Sequence, residues 1–310
     1  MTATRPIRFG LQLTPTVDTI DTIGPAAEAA GFEVLSVADH VGPTPASPLI
    51  SLARLAASTE SVQLGTMVLN NDMRNPVQLA WEVATLQQLS GGRFEVGLGA
   101  GHTPQEYAAT GIGLDEPRVR KERLAESVEL LGALFAGGPV DHRGTHYHVE
   151  GAELPPVDRP PILVGGNGTR LLSHAAVNAD IIGLQGLGRT RADGHRHEVK
   201  WSVDHLEAQL ATIEAAAGPT GRRPELQALV QAVVITDDRE RALHEFVERA
   251  PSLSMDEAAA TPYLAIGTVD EIAEQFVANN RRWGLSYLTV REPDLGAVIS
   301  RVRELEAAGS

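Results

Sequence analysis

Asp39 and His40 stand at the point where a short apolar run of the chain ends. The run that begins at Leu35 is typical of a buried strand, and Gly42 and Pro43 after the pair are residues that end regular structure. A free imidazole has a pKa of about 6.5, so a histidine at a strand end can move a proton near neutral pH. A histidine that makes only structural hydrogen bonds is the alternative. The pair predicts proton transfer if other chemical groups converge on it.

Polar and small residues also follow four later apolar runs. These stretches are Asn70–Asp72, Gly97–Tyr107, Val164–Arg170 and Gln185–Gly186. In an α/β barrel the carboxyl ends of the strands meet at one face, and the loops there hold the ligand-handling residues. Such residues at five strand ends therefore predict one site at that face.

Two of these stretches contain glycine loops, Gly97–Gly101 and Gly165–Gly168. Backbone amides in a glycine-rich turn before a helix form an anion-binding concavity, and phosphate is its usual ligand. Tight turns without a ligand are the alternative, but two such loops on one face favour a phosphorylated ligand. Thr169 is predicted to cap the helix after the second loop. The P-loop lysine is absent, which disfavours nucleotide triphosphate hydrolysis.

Two further breaks interrupt the apolar pattern. The break Gly137–Pro161 contains His142, His146 and His148, which are consistent with either a metal site or an exposed hairpin. No acid or further histidine stands at ligand spacing, so the hairpin is favoured and no metal is predicted. The break Gly186–Lys200 follows the sixth predicted strand. It is either a lid over the site or a surface excursion.

Composition excludes several classes of partner. The chain has 310 residues, a formal net charge of −14 and no cysteine. This charge argues against nucleic acid and anionic membranes as partners, and thiolate and disulfide chemistry are excluded. The N-terminal segment lacks the apolar core of a signal peptide, and apolar runs stay below about 18 residues. A cytoplasmic protein is therefore predicted.

Strands and helices alternate along the whole chain. The predicted strands are Ile7–Leu13, Val34–Val37, Val62–Val68, Phe94–Leu98, Ile162–Val164, Asp180–Leu184, Leu226–Ile235 and Tyr287–Val290. Apolar strands followed by amphipathic helices predict an α/β fold, a (β/α)8 TIM barrel with insertions after strands four and six. We expect residues 1–310 to form one domain. A doubly wound sheet is the alternative, but G-x-G-x-x-G does not follow the first strand.

Four stretches share the motifs of one family, in that family's order. They are SVADH at Ser36–His40, LGTMVLNNDMRNPVQLAWEVATLQQLSGGRFEVGLGAG at Leu64–Gly101, PPILVGGNGTR at Pro160–Arg170 and AIGTVDEIAEQF at Ala265–Phe276. These stretches resemble the bacterial-luciferase-like (LLM class) oxidoreductase family, in the branch that uses the deazaflavin coenzyme F420. The matches run from Arg8 to about Arg291.

The resemblance implies a TIM barrel, often a homodimer, and a set of cofactor-binding positions. A non-prolyl cis peptide that backs the flavin ring would fall at Met67–Val68. The remaining cofactor contacts would be Asp39, Asn70, Ala100, Gly101, His102, Gly165, Gly166, Asn167, Gly168 and Gln185. His40 would be the active-site acid or base that sugar-phosphate dehydrogenases of this family use.

The chain departs from those dehydrogenases at two positions. Their histidine is accompanied by a tryptophan and a glutamate, where this chain has Thr44 and His102. Their basic residues for a substrate phosphate have no obvious counterparts here, so a sugar phosphate is not predicted. Either His40 or His102 would handle the proton.

The chemistry implied by the resemblance is hydride transfer between F420 and a small organic substrate. Deazaflavin lacks the ring nitrogen through which ordinary flavins react with oxygen, and it acts as a hydride carrier. Its acidic tail needs local cations, for which Arg74, Arg118, Arg120, Lys121 and Arg123 are candidates. The solvated face of a helix is the favoured alternative for the last four.

Three rival functions follow from the same residues. An FMN-dependent monooxygenase that works with a separate reductase is the nearest, because FMN also carries a phosphate and a tricyclic ring. A metal-dependent barrel hydrolase would need His-x-His after strand one, where Gln12-Leu13-Thr14 stands. A non-catalytic flavin-binding protein would lack proton donors in its pocket, whereas His40 and His102 are present.

Overall fold

The strands are short and mostly buried on both faces. A computed structural model of the chain describes residues 5–43, 45–190, 197–250 and 252–309. The strands in these ranges are β1 (Arg8–Leu13), β2 (Val34–Val37), β3 (Gln63–Thr66), β4 (Leu69–Asn70), β5 (Phe94–Gly99), β6 (Val140–Arg143), β7 (His148–Ala152), β8 (Ile162–Gly165), β9 (Ile181–Leu184), β10 (Leu187–Thr190), β11 (His197–Val199), β12 (Glu225–Leu229), β13 (Ala232–Ile235), β14 (Leu264–Gly267) and β15 (Leu285–Val290).

Eight of these described strands close into a parallel barrel. Their order is β3, β2, β1, β15, β12, β9, β8 and β5, and a direct pairing between β3 and β5 completes the ring. Every residue of β2, β5, β8, β9 and β15 is buried, as expected for strands covered by helices outside and by packed side chains inside. The predicted TIM barrel is confirmed.

Helices follow the barrel strands and cover them. They are α1 (Ile20–Ala29), α2 (Pro48–Ser58), α3 (Pro76–Leu89), α4 (Pro104–Thr110), α5 (Pro117–Ala136), α6 (Thr169–Asn178), α7 (Val203–Ala217), α8 (Arg239–Arg249), α9 (Met255–Ala260), α10 (Val269–Trp283) and α11 (Gly296–Ala308). Local sequence sets several boundaries: Asn75 caps α3, whose first residue is proline, and Thr268 and Glu271 form a capping box on α10. Of the helices in the described ranges, not one combines the length and the apolar character needed to cross a membrane.

Both predicted insertions contain antiparallel hairpins. β6 pairs with β7 inside the break 137–161, which confirms the hairpin predicted there. β10 pairs with β11 inside the break 186–200, whose residues 191–196 lie outside the described ranges. The second insertion therefore begins and ends in regular structure beside the barrel mouth.

The predicted single strand Leu226–Ile235 is wrong. The Val230 N–H still donates to the Thr289 carbonyl of β15, whereas the Gln231 N–H donates to the Tyr263 carbonyl beside β14, so the chain leaves the barrel after Val230. β13 then pairs in parallel with β14 in a separate two-stranded sheet. The apolar character of both halves hides this change of partner in the sequence.

The amino-terminal end of the barrel is closed by a charged cluster. Arg8 bridges Glu95 at 3.1 Å and Glu225 at 2.8 Å, and the Tyr287 hydroxyl donates to Glu95 at 3.0 Å. The Arg8 guanidinium also stacks on the Tyr287 ring. These residues close the barrel at the end opposite the predicted site.

Candidate active site

A groove of about 1920 Å³ crosses the carboxyl ends of the barrel strands. Nearly all the site residues predicted from sequence line it, namely Asp39, His40, Met67, Val68, Asn70, Ala100, Gly101, His102, Gly165, Gly166, Asn167 and Gln185. Gly168 lies beside it as the residue before α6. Thr44 lies outside the described residues. The structure therefore places these positions together at one face of the barrel, and their roles stay predictions.

The chain between β3 and β4 forms a bulge that projects into the groove. Its Met67–Val68 peptide is cis, as the sequence resemblance implies. Thr66 anchors the bulge to β5 by exchanging hydrogen bonds with the Gly97 carbonyl at 2.9 Å and the Gly97 N–H at 2.8 Å. A side chain at Gly97 would start 2.0 Å from the Thr66 carbonyl oxygen. Glycine at this position therefore permits the close approach of the two strands.

Asp39 holds the bulge from the neighbouring strand. Both of its carboxylate oxygens accept from Arg74, and one also accepts from the Asn70 N–H at 2.9 Å. Asp39 is buried, so the arginine offsets the charge of a carboxylate removed from water. The structure thus gives Asp39 a positioning role for Asn70. Its contact with a cofactor stays a prediction.

Asn70 belongs to a second buried network. Its Oδ1 accepts from the Tyr107 hydroxyl at 3.2 Å, and the same hydroxyl donates to Asp72 at 2.9 Å. Burial, and then the Asp72 carboxylate, raise the pKa of Tyr107 to about 12, so the phenol stays protonated and donates. The Asn70 Nδ2 is buried and has no acceptor among the described residues. This donor is thus available to a ligand at the groove wall.

His40 is paired with Glu106, a residue that the sequence analysis missed. His40 Nδ1 lies 2.7 Å from Glu106 Oε1, and 53% of the histidine side chain is exposed against 11% of the glutamate side chain. The His102 ring stands edge-on to the His40 ring with centroids 6.1 Å apart. The two predicted catalytic histidines are therefore neighbours, and His40 has a carboxylate to orient it.

The short helix α4 brings Glu106 to His40. α4 begins at Pro104, and its first-turn Glu106 faces the groove while Tyr107 packs into the buried network. Proline at the first helical position is a recognised start signal, and Thr103-Pro104 could have shown this helix. The Glu106 carboxylate is in the first turn of this helix, four residues beyond His102.

Two lysines lie beside the loop Gly165–Gly168. Lys121 Nζ donates to the Asn167 carbonyl at 2.9 Å, and Lys200 lines the same part of the groove. Burial, together with the like charges of Arg120 and Lys200, lowers the pKa of Lys121. No carboxylate among the described residues pairs with either lysine. The loop therefore presents positive charge that an anion would neutralise.

The start of α6 strengthens this anion-binding character. The predicted cap by Thr169 is wrong, because the helix begins at Thr169 itself and Gly168 precedes it with φ of +91° and no capping side chain. The first-turn N–H groups of α6 therefore lack the side-chain acceptor that a cap would supply. Anions bind favourably at such helix ends.

The other predicted cations have protein partners. Arg74 pairs with Asp39, Arg118 with Glu122, and Arg123 with Asp72 and Asp115. Arg120 is buried and donates to the carbonyls of Ala100, Gly101 and Asp115. Of these candidates, only Lys121 stands beside the loop with charge to offer a ligand.

Of the hairpin histidines, His142 is used within the fold. His142 Nε2 lies 3.1 Å from Glu126, whose carboxylate also accepts from main-chain N–H groups of residues 145–147. Among the described residues, no group of three histidine or acidic side chains is arranged to hold a metal ion. The Glu126 contacts attach the hairpin to α5.

Comparison with known proteins identifies the family. The model of the luciferase-like monooxygenase family matches residues 5–282. An F420-dependent glucose-6-phosphate dehydrogenase of Nakamurella multipartita is 31% identical over 260 residues, which are 77% of this chain and 71% of that protein. An enzyme of the same name from Beutenbergia cavernae is 37% identical over 178 residues, 53% of this chain and about half (51%) of that protein.

A solved structure supports the fold. An F420-dependent secondary alcohol dehydrogenase in complex with an F420–acetone adduct superposes with a TM-score of 0.76. The alignment covers 99% of this chain and 100% of that chain at 20% identity, so this likeness concerns the fold alone. Together with the family match over most of the sequence, it leads to one conclusion: the chain belongs to the luciferase-like monooxygenase family.

Proposed function

We propose that the protein is an oxidoreductase that transfers a hydride between coenzyme F420 and a small organic substrate. The proposal rests on the groove, where an anion-binding loop and the His40–Glu106 pair lie on one continuous surface. The F420-dependent relatives favour a deazaflavin as the cofactor. Their sugar-phosphate substrate is not carried over, because the chain departs from those enzymes at Thr44 and His102.

The residues of the groove fit such a cofactor. Lys121, Lys200 and the loop Gly165–Gly168 would hold its phosphate. The Nδ2 of Asn70, which has no acceptor in the part of the chain that the structure describes, would donate to a polar atom of its ring. The bulge at Met67–Val68 would support the ring from one side. When bound, F420 supplies a ring carbon that takes up or gives a hydride.

His40 would handle the proton that accompanies the hydride. The Glu106 carboxylate accepts from Nδ1, which leaves Nε2 as the ring nitrogen for a substrate oxygen. Glu106 also stabilises the imidazolium whenever His40 takes up a proton, in the manner of an acid that orients a catalytic histidine. His102, beside this pair, would complete the substrate side of the groove.

The second candidate is an FMN-dependent monooxygenase that works with a separate reductase. The same loop and lysines would hold the FMN phosphate, so the groove alone fits both cofactors. A turnover experiment separates them: reduced F420 is mixed with a panel of small carbonyl compounds and its reoxidation is followed with and without oxygen. We expect substrate-dependent reoxidation that does not need oxygen. Oxygen consumption with reduced FMN and no reaction with F420 would contradict the proposal.

We also propose that the protein is a homodimer. The neighbouring helices α2 and α3 leave three large apolar side chains exposed, Ile50 by 73%, Trp81 by 61% and Leu89 by 62%. Apolar side chains gathered on adjacent helices mark a surface suited to association with a second subunit.

A further inference from the structure

Arg291 follows β15 directly and places its guanidinium in the groove. Its Nε donates to Gln12 Oε1 at 2.9 Å, and one Nη donates to Gln231 Oε1 at 3.0 Å. Gln12 lies on β1 and Gln231 follows β12, the two barrel neighbours of β15. Three adjacent strand ends therefore build one guanidinium site.

The two glutamines are themselves fixed by the main chain. The Gln12 amide donates to the Met67 carbonyl at 2.8 Å, and the Gln231 amide donates to the Gln185 carbonyl at 3.3 Å. Because their amide nitrogens are engaged, their oxygens are turned toward Arg291. The guanidinium is thus held in one orientation, which is the condition for geometric recognition of a ligand.

The charge of Arg291 is not neutralised by an ion pair. Among the described residues no carboxylate lies within salt-bridge distance of it, and the neighbouring Glu292 instead accepts from the N–H groups of Val233 and Arg291. Loss of water around the guanidinium, which the charge of Glu292 offsets only in part, lowers the pKa of Arg291. Three of its five N–H groups make no hydrogen bond to the described residues and remain for a ligand.

This site stands across the barrel mouth from the anion-binding loop. Going round the barrel, β15 is three strands away from β8, whose following loop carries the glycine turn and approaches Lys121. His40 follows β2, beside β1. The groove therefore has two separate cationic ends with the proton-handling pair between them.

We propose that Arg291 binds a carboxylate group of the organic substrate and thereby selects an anionic substrate class. This inference rests on the proposed function, which gives the opposite cationic end to the cofactor phosphate. A single guanidinium held by neutral amides matches one negative charge, and its free N–H groups can form the bidentate pair that carboxylates make with arginine. A phosphate ester would find only one cation at Arg291, whereas two lysines lie beside the loop Gly165–Gly168 at the other end of the groove.

Calorimetric titration of the full-length protein, with and without F420, tests the proposal. The probes are benzoate, its neutral isostere benzamide, and inorganic phosphate. We expect benzoate to bind at least about tenfold more tightly than benzamide and phosphate. Arg291→Gln should abolish that preference and Arg291→Lys should keep part of it. Arg249→Gln, a change at an exposed groove arginine paired with Glu245, should leave it unchanged.

Four results would overturn the proposal. They are equal benzoate affinity in the wild type and Arg291→Gln, no benzoate binding by the wild type, tighter binding of phosphate than benzoate, or a fall in F420 affinity in Arg291→Gln with benzoate binding unchanged. The last result would assign the guanidinium to the coenzyme. Failure to bind F420 at all would contradict the proposed function, while the titrations without coenzyme would still report on Arg291.

Discussion

At His40, one hydrogen bond determines which ring nitrogen is available for chemistry. Glu106 occupies Nδ1 from a helix that starts at Pro104, and the exposed edge of the ring faces the groove. A carboxylate that fixes the tautomer of a histidine matters for catalysis as much as the histidine itself, because the wrong tautomer presents a donor where an acceptor is needed.

We expect His40→Gln to lower turnover by about 10²–10⁴-fold, the usual contribution of a positioned acid or base. Glu106→Gln should lower turnover by a smaller factor and leave F420 affinity unchanged, since it alters only the orientation and charge at Nδ1. Steady-state kinetics with a substrate found by the reduced-F420 screen, together with F420 titration, measure both effects.

A matched control exists elsewhere on the surface. His174 and Glu129 form a similar pair, at 2.8 Å, between α6 and α5 and away from the groove. His174→Gln should leave turnover unchanged. If His40→Gln behaves like this control, His40 has no role in proton transfer.

Sequence alone located most of this site but not its pairings. Asp39 and His40 were recognisable because polar residues that end an apolar run must face an open strand end. Glu106 lies 66 positions from His40, and their contact depends on how α4 turns, which no local pattern encodes. Arg291 was missed for the same reason, since its two glutamine partners come from distant strands.

At the scale of the elements, Glu28 on α1 holds the turn that leads into β3. Its carboxylate accepts from the N–H groups of Glu60, Ser61 and Val62 and from the Ser61 hydroxyl. Burial raises the pKa of Glu28, but these hydrogen bonds outweigh it and lower the pKa to about 2. The ionised carboxylate is therefore the form that stabilises the fold.

The lowered pKa of Glu28 determines how its contribution to the free energy of unfolding depends on pH. The contribution of Glu28 is complete above its ordinary pKa near 4.5 and is lost as pH falls toward about 2. Glu28→Gln should cost about 1–2 kcal/mol of unfolding free energy at pH 7, and the cost should shrink between pH 4.5 and 2. Urea unfolding across this range measures it. A cost that does not vary with pH would contradict the assignment, and Glu82→Gln at an exposed position of α3 serves as the control.

The charged cluster at the amino-terminal end of the barrel predicts a larger effect. Glu95→Ala removes a buried carboxylate and leaves Arg8 and the Tyr287 hydroxyl without it, so we expect a loss of about 3 kcal/mol in unfolding free energy. Glu150→Ala, which breaks the exposed pair with Arg143, should cost less than about 1 kcal/mol. Similar losses of unfolding free energy for the two variants would mean that the charged cluster contributes no more to stability than an exposed ion pair. F420 affinity should not change, because the groove is at the other end.

Two elements show where sequence patterns stop being informative. α4 has seven residues, too few for a helical apolar period to stand out. The run from Leu226 to Ile235 is apolar except for Gln227 and Gln231, although its halves pair with different strands. The barrel itself was predictable because eight apolar runs recur with helices between them, and closure is the arrangement that buries all of them.

At the scale of the whole molecule, the exposed apolar side chains of α2 and α3 predict self-association. Trp81→Glu should convert a dimer into a monomer, because a charge buried in an apolar interface has no partner. Light scattering coupled to size exclusion measures the mass. Ile235→Glu, at an exposed apolar position of the β13–β14 sheet, should leave the dimer intact. A monomeric wild-type protein would contradict the dimer.

Titration of the apoprotein with F420 and with FMN measures which cofactor the groove holds. We expect F420 to bind at micromolar concentration or tighter and FMN to bind much more weakly. Lys121→Gln should weaken F420 binding by about tenfold, and Arg118→Gln, three residues away and paired with Glu122, should not. Tighter binding of FMN than of F420, or binding of neither, would contradict F420 as the cofactor.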